Sequence, residues 1–465
     1  MLSDLYFSIK LAILIVFFYN FPLWQALLLI ISLYYTYHYV IMPKIFGLEP
    51  LTVLDSFMLF ENKTNRANFG GVAIYDKIDF ETLNALRQSL IQRFPRLRQK
   101  VVSVFGSYYF KELSLEDSSK AIEKVEGIHT KEQLEQFCEK ICQNPIPKNE
   151  PLYKVYIMVD YNDSETAGVL LSHHSLFDGL SNLYLTWMYT AAPGDATLLP
   201  NIREFSFKEK LIMHLLLVYT FPMAILNNLT KKKDVNPINN GKPLTGIKKF
   251  SYFDDIPFEK IRENYKKIGV TVNDYFMAVL SKSLKEYFKL KDPNGNYKDI
   301  TIAIPINLRN KYPKKFDDIV LENNFSAVNL ELPLIDDVKL ESKNIKKVLD
   351  RMKKSAEFIA IGYMLKLGVL LLPKSVFTRF NNFLTSKTSI CFSNVPYFKK
   401  PLVIANTKCA LKTTAGFFQN NGDIGVGVNI MTYCDKIVFG VCSDTARMEN
   451  PKEFALIFKE NLMKY

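Results

Sequence analysis

His173-His174-Ser175-Leu176-Phe177-Asp178-Gly179 sets two of the chain's five histidines side by side, directly after an apolar run at 168–171 that reads as a strand. Side chains alternate faces along an extended segment, so neighbouring histidines point opposite ways and only one can face a given cavity. A helical pattern follows from about 179 to 189. A neutral imidazole is the side chain best suited to take a proton from an alcohol near neutral pH. The stretch therefore reads as part of an enzyme that makes a hydroxyl nucleophilic.

Outward from the motif, the first half mixes strands and helices. Residues 69–75, 101–104, 107–110 and 153–159 read as strands, and 131–142 as a charged helix. Residues 80–94 carry Phe80, Leu83, Leu86, Leu90 and Ile91 at helical spacing. The second half restarts with strands at 248–253, 299–305, 326–332, 389–393, 402–411, 425–431 and 437–441. Its helices fall at 257–267, 272–288, 336–358 and from 451. Two similar halves of mixed elements imply an α/β protein with a cleft between domains. The expected division is an anchor at 1–48, a first domain at 49–198, a linker at 199–245 and a second domain at 246–465, with Pro193 and Pro200 around the linker.

The anchor is read from 23–42, which contains no charged side chain; roughly 20 such residues span a bilayer as a helix. A shorter apolar run at 11–19 precedes it, separated by Asn20-Phe21-Pro22. Two topologies fit: a hairpin broken at the proline, or one spanning helix behind an interfacial one. Trp24, the tyrosines at 34, 35, 37 and 39, and Lys44 read as interfacial anchors, with His38 structural among them. A second apolar stretch at 211–226 contains His214, which is assigned no role, and is followed by Lys231-Lys232-Lys233. It fits a helix lying in a membrane surface or one buried between domains. For 359–372 the core is favoured over the membrane.

Composition bounds the rest. A chain of 465 residues suits two domains, and 48% hydrophobic with 23% charged residues is globular and not disordered. The formal charge of +12 favours anionic partners such as a phosphate-bearing cosubstrate or an anionic lipid surface. No nucleic-acid-binding motif accompanies it. Six scattered cysteines show no metal or disulfide spacing, so reduced thiols and a cytosolic catalytic portion are expected.

Several short motifs join His173-His174…Asp178-Gly179 in order: Pro50-Leu51 with Asp55 and Phe57, Phe94-Pro95-Arg96-Leu97-Arg98, Glu150-Pro151-Leu152 and Asn273-Asp274. Pro305-Ile306-Asn307-Leu308-Arg309, Ser393-Asn394-Val395-Pro396 and a tail from Tyr433 to Asp444 follow. This set resembles the wax ester synthase/diacylglycerol acyltransferase family of the HHxxxDG acyltransferase superfamily, over almost everything after the anchor. Tyr153 stands where the family carries tryptophan, Tyr397-Phe398 where it carries Gly-Pro, and the anchor is additional.

The resemblance implies two chloramphenicol-acetyltransferase-like domains with a substrate tunnel between them, where acyl-CoA and an alcohol meet. His174 would be the general base and His173 the structural member facing away from the cleft. Asp178 would be architectural, either as a helix N-cap or in an ion pair with Arg309. Gly179 would leave room for the cosubstrate. Asn273 would assist an oxyanion, orient the base or cap its helix, whereas Asn394 and Pro396 read as a turn. No metal is implied, and no cofactor beyond acyl-CoA as cosubstrate. The expected activity is transfer of a fatty acyl group to a lipid alcohol, giving wax ester or triacylglycerol, at the endoplasmic reticulum or lipid-droplet surface. A silent lipid-binding protein on the same fold and an acyltransferase for a soluble acceptor are the alternatives.

Overall fold

Strand β7 (Glu165–His173) ends on the first histidine of the pair and lies inside a five-stranded sheet. The order is β12 (Leu411–Phe418), β2 (Asn68–Asp76), β7, β6 (Tyr153–Met158) and β5 (Ile122–Lys124). The register sets Asn68 opposite His173, so the motif leaves the sheet where β2 enters it. Gly70 permits that pairing, because a Cβ there would lie 1.9 Å from the Leu170 carbonyl oxygen. This computed structural model describes residues 2–188, 199, 206–309 and 311–465. Pro193, Pro200 and the expected domain end at 198 lie outside them.

The second sheet has six strands in the order β10 (Phe325–Pro333), β9 (Asp299–Asn307), β11 (Ile390–Pro396), β13 (Val426–Tyr433), β14 (Lys436–Asp444) and β8 (Lys248–Pro257). The halves are not separated by sequence. β12 follows residue 246 yet pairs antiparallel with β2, setting Ala415 opposite Val72. It also crosses close to the second sheet, where a Cβ on Gly440 would lie 2.6 Å from the Gly416 carbonyl oxygen. One core accordingly mixes Val72, Val155 and Trp187 with Tyr252, Tyr397 and Phe417, whereas a second core around Phe276, Ile302, Val428 and Phe439 belongs to the second half alone.

Three local expectations change. Residues 402–411 are not a strand: Val403 and Ala410 form an isolated bridge, and Thr407 N–H donates to the Ile404 carbonyl with Asn406 at φ 62°. Asn and Thr favour that turn, and the ladder begins only at Leu411. The 336–358 helix is two, Val338–Lys354 and Glu357–Leu371, broken at Ser355-Ala356. Asn394 and Pro396 are not in a turn but on β11, paired in parallel with Ile430 and Thr432 of β13.

The N-terminal helices Leu2–Asn20 and Leu23–Thr36 break at Phe21-Pro22, and a π turn (Tyr37–Ile41) and the short helix Met42–Phe46 continue the second. A small sheet of β1 (Leu48–Pro50), β4 (Ser107–Glu112) and β3 (Gln99–Val104) receives them. Tyr6 packs edge-on against Phe105, Lys10 Nζ donates to Ser107 Oγ at 3.2 Å, and His38 Nδ1 lies 2.7 Å from the Tyr109 hydroxyl. Both arms thus return to one β-hairpin, the geometry of a helical hairpin.

The helix Phe207–Thr230 is not buried between domains: it exposes Leu211, Leu215, Val218 and Tyr219 and buries only Met213, Ala224 and Asn228. The 359–372 stretch is core only in part. Its helix buries Phe358, Ala360 and Gly362, but Leu367, Leu370 and Leu371 are exposed. Among the described residues, 23–46 and 207–230 are the helices long and apolar enough to cross a membrane by length and composition.

Candidate active site

Two backbone bonds fix the histidine pair as β7 ends. His173 N–H donates to the Leu152 carbonyl at 2.8 Å, and His174 N–H to the Ala67 carbonyl at 2.7 Å. Alternation then sends the two rings apart.

The His173 ring is buried, with Nδ1 2.8 Å from Ser175 Oγ and Nε2 3.3 Å from Glu61 Oε2. Burial alone would raise the Glu61 pKa. The hydrogen bond and charge of His173, with Lys148 and the Ala67 N–H, instead hold it down to about 2. His173 is thereby locked within the fold.

His174 keeps an accessible edge although protein surrounds its ring. The ring lies 4.8 Å from that of Phe69 and 5.4 Å from that of Phe325, which opens β10 in the opposite half. Its Nδ1 is 2.9 Å from Asn323 Oδ1. Asn323 Nδ2 donates to Asp55 Oδ1 at 2.8 Å and to the His174 carbonyl at 2.6 Å, so Oδ1 is left to accept and Nδ1 carries the hydrogen. Nε2 then bears the lone pair and has no partner among the described residues. Burial lowers the His174 pKa, opposed by the charge of Asp178 and the Asn323 bond. A neutral imidazole with a free Nε2 is chemically a base.

Asp178 takes both roles read from the sequence. Its Oδ1 accepts from Ser181 N–H at 3.0 Å, capping the helix Gly179–Trp187. Arg309 donates to it twice, Nη1 to Oδ2 at 2.7 Å and Nη2 to Oδ1 at 2.9 Å. Asn324 N–H adds a bond to Oδ2 at 3.0 Å, and Arg309 Nη2 also reaches the Glu322 carbonyl at 2.9 Å. Both partners are buried, and the paired bonds bolt the 321–324 loop of the second half to the motif of the first. Gly179 is exposed, with nothing within 4 Å of where a Cβ would stand.

Asn273 is not the cap of its helix. Thr271 is, in a capping box with Asp274. The exposed Asn273 side chain bonds Asn394 on β11, two strands along the sheet from Phe325. That joins two motifs far apart in sequence but leaves Asn273 without a bond to either histidine among the described residues. Sequence reading missed Asn323 and Glu61 entirely and quoted Asp55 without giving it a role. For Asp55 a signal existed: Thr52-x-x-Asp55 is a capping box, which puts a carboxylate at a defined helix start.

Residues 321–465 match the WS/DGAT C-terminal domain family. Wax ester synthase/diacylglycerol acyltransferase 7 of Arabidopsis thaliana is 21% identical over 377 residues, covering 71% of this chain and 78% of that protein. Wax ester synthase/diacylglycerol acyltransferase 6 of the same plant is 23% identical over 402 residues, covering 70% and 76%. Among solved structures, the wax ester synthase/diacylglycerol acyltransferase from Marinobacter aquaeolei VT8 superposes with a TM-score of 0.61 at 17% identity, covering 89% of this chain and 98% of that one. The first condensation domain of the calcium-dependent antibiotic synthetase gives 0.60 at 10% identity, covering 90% and 95%. The structures share the two-domain fold, and the sequence matches make the chain similar to the wax ester synthase/diacylglycerol acyltransferases, whose C-terminal domain is matched over residues 321–465.

Proposed function

We propose that this protein is a membrane-associated O-acyltransferase that moves a fatty acyl group from acyl-CoA to a lipid alcohol, with His174 as general base. The observation that carries the reading is the His174 ring itself: Nδ1 facing the Asn323 amide oxygen, Nε2 without a partner among the described residues, and aromatic rings from opposite halves against it. Nε2 takes the alcohol's proton as its oxygen attacks the thioester carbonyl. The carbon–sulfur bond breaks, the imidazolium returns the proton to the CoA thiolate, and ester and free CoA leave. Acyl-CoA is a cosubstrate here, and holding both reactants between the halves supplies the proximity the step needs.

A lipid acceptor is favoured by the apolar helices. The helix Phe207–Thr230 packs against Glu357–Leu371, which packs against Lys374–Thr385, which touches the first N-terminal helix. Exposed Val218, Leu215, Leu370, Val376 and Ile9 lie on these adjoining helices, an apolar surface suited to lipid. The helix Glu357–Leu371 also touches the helix Val53–Met58 carrying Asp55, close to the base. We place the protein at the endoplasmic reticulum or a lipid-droplet surface, with its catalytic halves in the cytosol.

The test is conversion of labelled palmitoyl-CoA with a fatty alcohol, a diacylglycerol and a sterol, followed by product chromatography. The wild type is expected to esterify at least one of them, and His174→Ala to lower the rate by roughly 10²–10⁴-fold. Absence of product with every acceptor, or a His174→Ala rate equal to wild type, overturns the reading.

A further inference from the structure

The bonds around Asn323 go further than naming a base. Asn323 is buried, and both hydrogens of its Nδ2 are spent on acceptors, Asp55 Oδ1 and the His174 carbonyl. Turning the amide over would set its oxygen against a carboxylate oxygen and a carbonyl oxygen, a repulsion that burial makes costly. The orientation is therefore determined by chemistry, and Oδ1 must face His174 Nδ1 as an acceptor.

Asp55, which dictates that orientation, is itself fully buried. Its Oδ2 accepts from Thr52 N–H at 3.4 Å and lies 3.7 Å from Arg96 Nη1, while the Arg96 guanidinium stacks 4.2 Å over the Phe110 ring. The 321–324 loop is anchored separately through Asp178, Ser181 and Arg309. The His174 carbonyl, which accepts from Asn323 Nδ2, also faces its own ring and favours a hydrogen on it.

We propose that Asn323 is a positioning residue that keeps the His174 hydrogen on Nδ1 and its lone pair on Nε2, and that Asp55 keeps Asn323 in the one orientation that does so. The inference rests on His174 being the base. It makes that base a joint product of the two halves: the ring belongs to the first, and the group that selects its tautomer belongs to the second. A neutral amide at 323 also differs from a carboxylate in kind. It orients the imidazole and stabilises the imidazolium less than a carboxylate would, so the proton taken from the alcohol is passed on readily to the leaving thiolate.

The experiment measures kcat, KM and the pH profile of kcat/KM on the full chain with palmitoyl-CoA and whichever acceptor it esterifies. The variants are Asn323→Ala, His174→Ala, their double, and the exchange Asn323→Asp with Asp55→Asn. Asn323→Ala is expected to lower kcat by about 10–100-fold with KM nearly unchanged. Adding it to His174→Ala should cost nothing further. In the exchange, the new carboxylate still accepts from Nδ1–H and the new amide donates to it, so part of the rate returns. A carboxylate on Nδ1–H stabilises the imidazolium, so the acid limb of that profile moves to higher pH. Melting curves accompany each protein, and if Asn323→Ala does not fold, the exchange decides alone. A full Asn323→Ala rate, an additive loss in the double variant, or an unmoved acid limb in the exchange overturns the inference while leaving the base intact. A wild-type rate in His174→Ala instead removes the reading on which it rests.

Discussion

The His174 site and the apolar helices solve opposite problems. At the site, buried polar groups meet one another at hydrogen-bond distance: Asp178 with Arg309, Glu61 with His173, Asn323 with Asp55 and His174. Along Phe207–Thr230 and its neighbours, large apolar side chains stand in the open, with Val218 85% exposed. A buried polar group left unpaired costs several kcal/mol, so the first region is rigid and intolerant of single losses. Exposed apolar surface costs about 25 cal/mol per Å², so the second gains free energy from any apolar phase that covers it. One region satisfies itself within the fold, the other leaves its apolar side chains open.

The sharpest way to break this contrast is at Arg309. Arg309→Ala leaves Asp178 buried and unpaired, and is expected to destabilise the protein by about 3–5 kcal/mol in denaturant titration. A loss below about 1 kcal/mol would mean that the 321–324 loop is held by something else.

On the apolar face the effect should appear in partitioning and not in folding. Leu215→Glu with Val218→Glu is expected to weaken vesicle flotation by about 2–4 kcal/mol, since two side chains lose their apolar burial. The rate in detergent should stay at the wild-type level. Unchanged flotation would remove the membrane role of this helix.

The smallest effect belongs to Glu61→Gln, expected to cost about 1–3 kcal/mol by thermal melting near neutral pH. The Glu61 carboxyl is depressed in the folded protein to about 2 from its ordinary 4.5. Its stabilisation is therefore fully present above about pH 4.5 and lost as pH falls toward 2. The gap between wild type and Glu61→Gln should close over that window, and a gap constant with pH would separate Glu61 from His173.

Much of this was legible in the residues. Apolar runs located most strands to within a few residues, because strands buried on both faces, such as Val426–Tyr433 and Lys436–Asp444, are near-continuously apolar. The break at Phe21-Pro22 and the pairing of Asp178 with Arg309 were likewise readable, the first from proline chemistry and the second through family motifs. The strand at Leu411–Phe418 was not: Lys412-Thr413-Thr414 carries no apolar alternation, and its partner β2 lies more than three hundred residues earlier. Nor was the cap on the Val272 helix rightly placed, since Thr271 and Asn273 are both plausible caps until backbone geometry chooses.

Readable from the residues alone were the adjacent histidines at a strand end, the parting of their two rings, and the positions of the apolar segments. These are local consequences of covalent geometry and side-chain chemistry. It took the folded chain to bring Asn323 and Asp55 together at His174, to set Glu61 against His173, and to pack the apolar helices against one another. The contacts at the two histidines join residues over a hundred positions apart, and no local pattern encodes a meeting that depends on how distant segments of the chain are brought together.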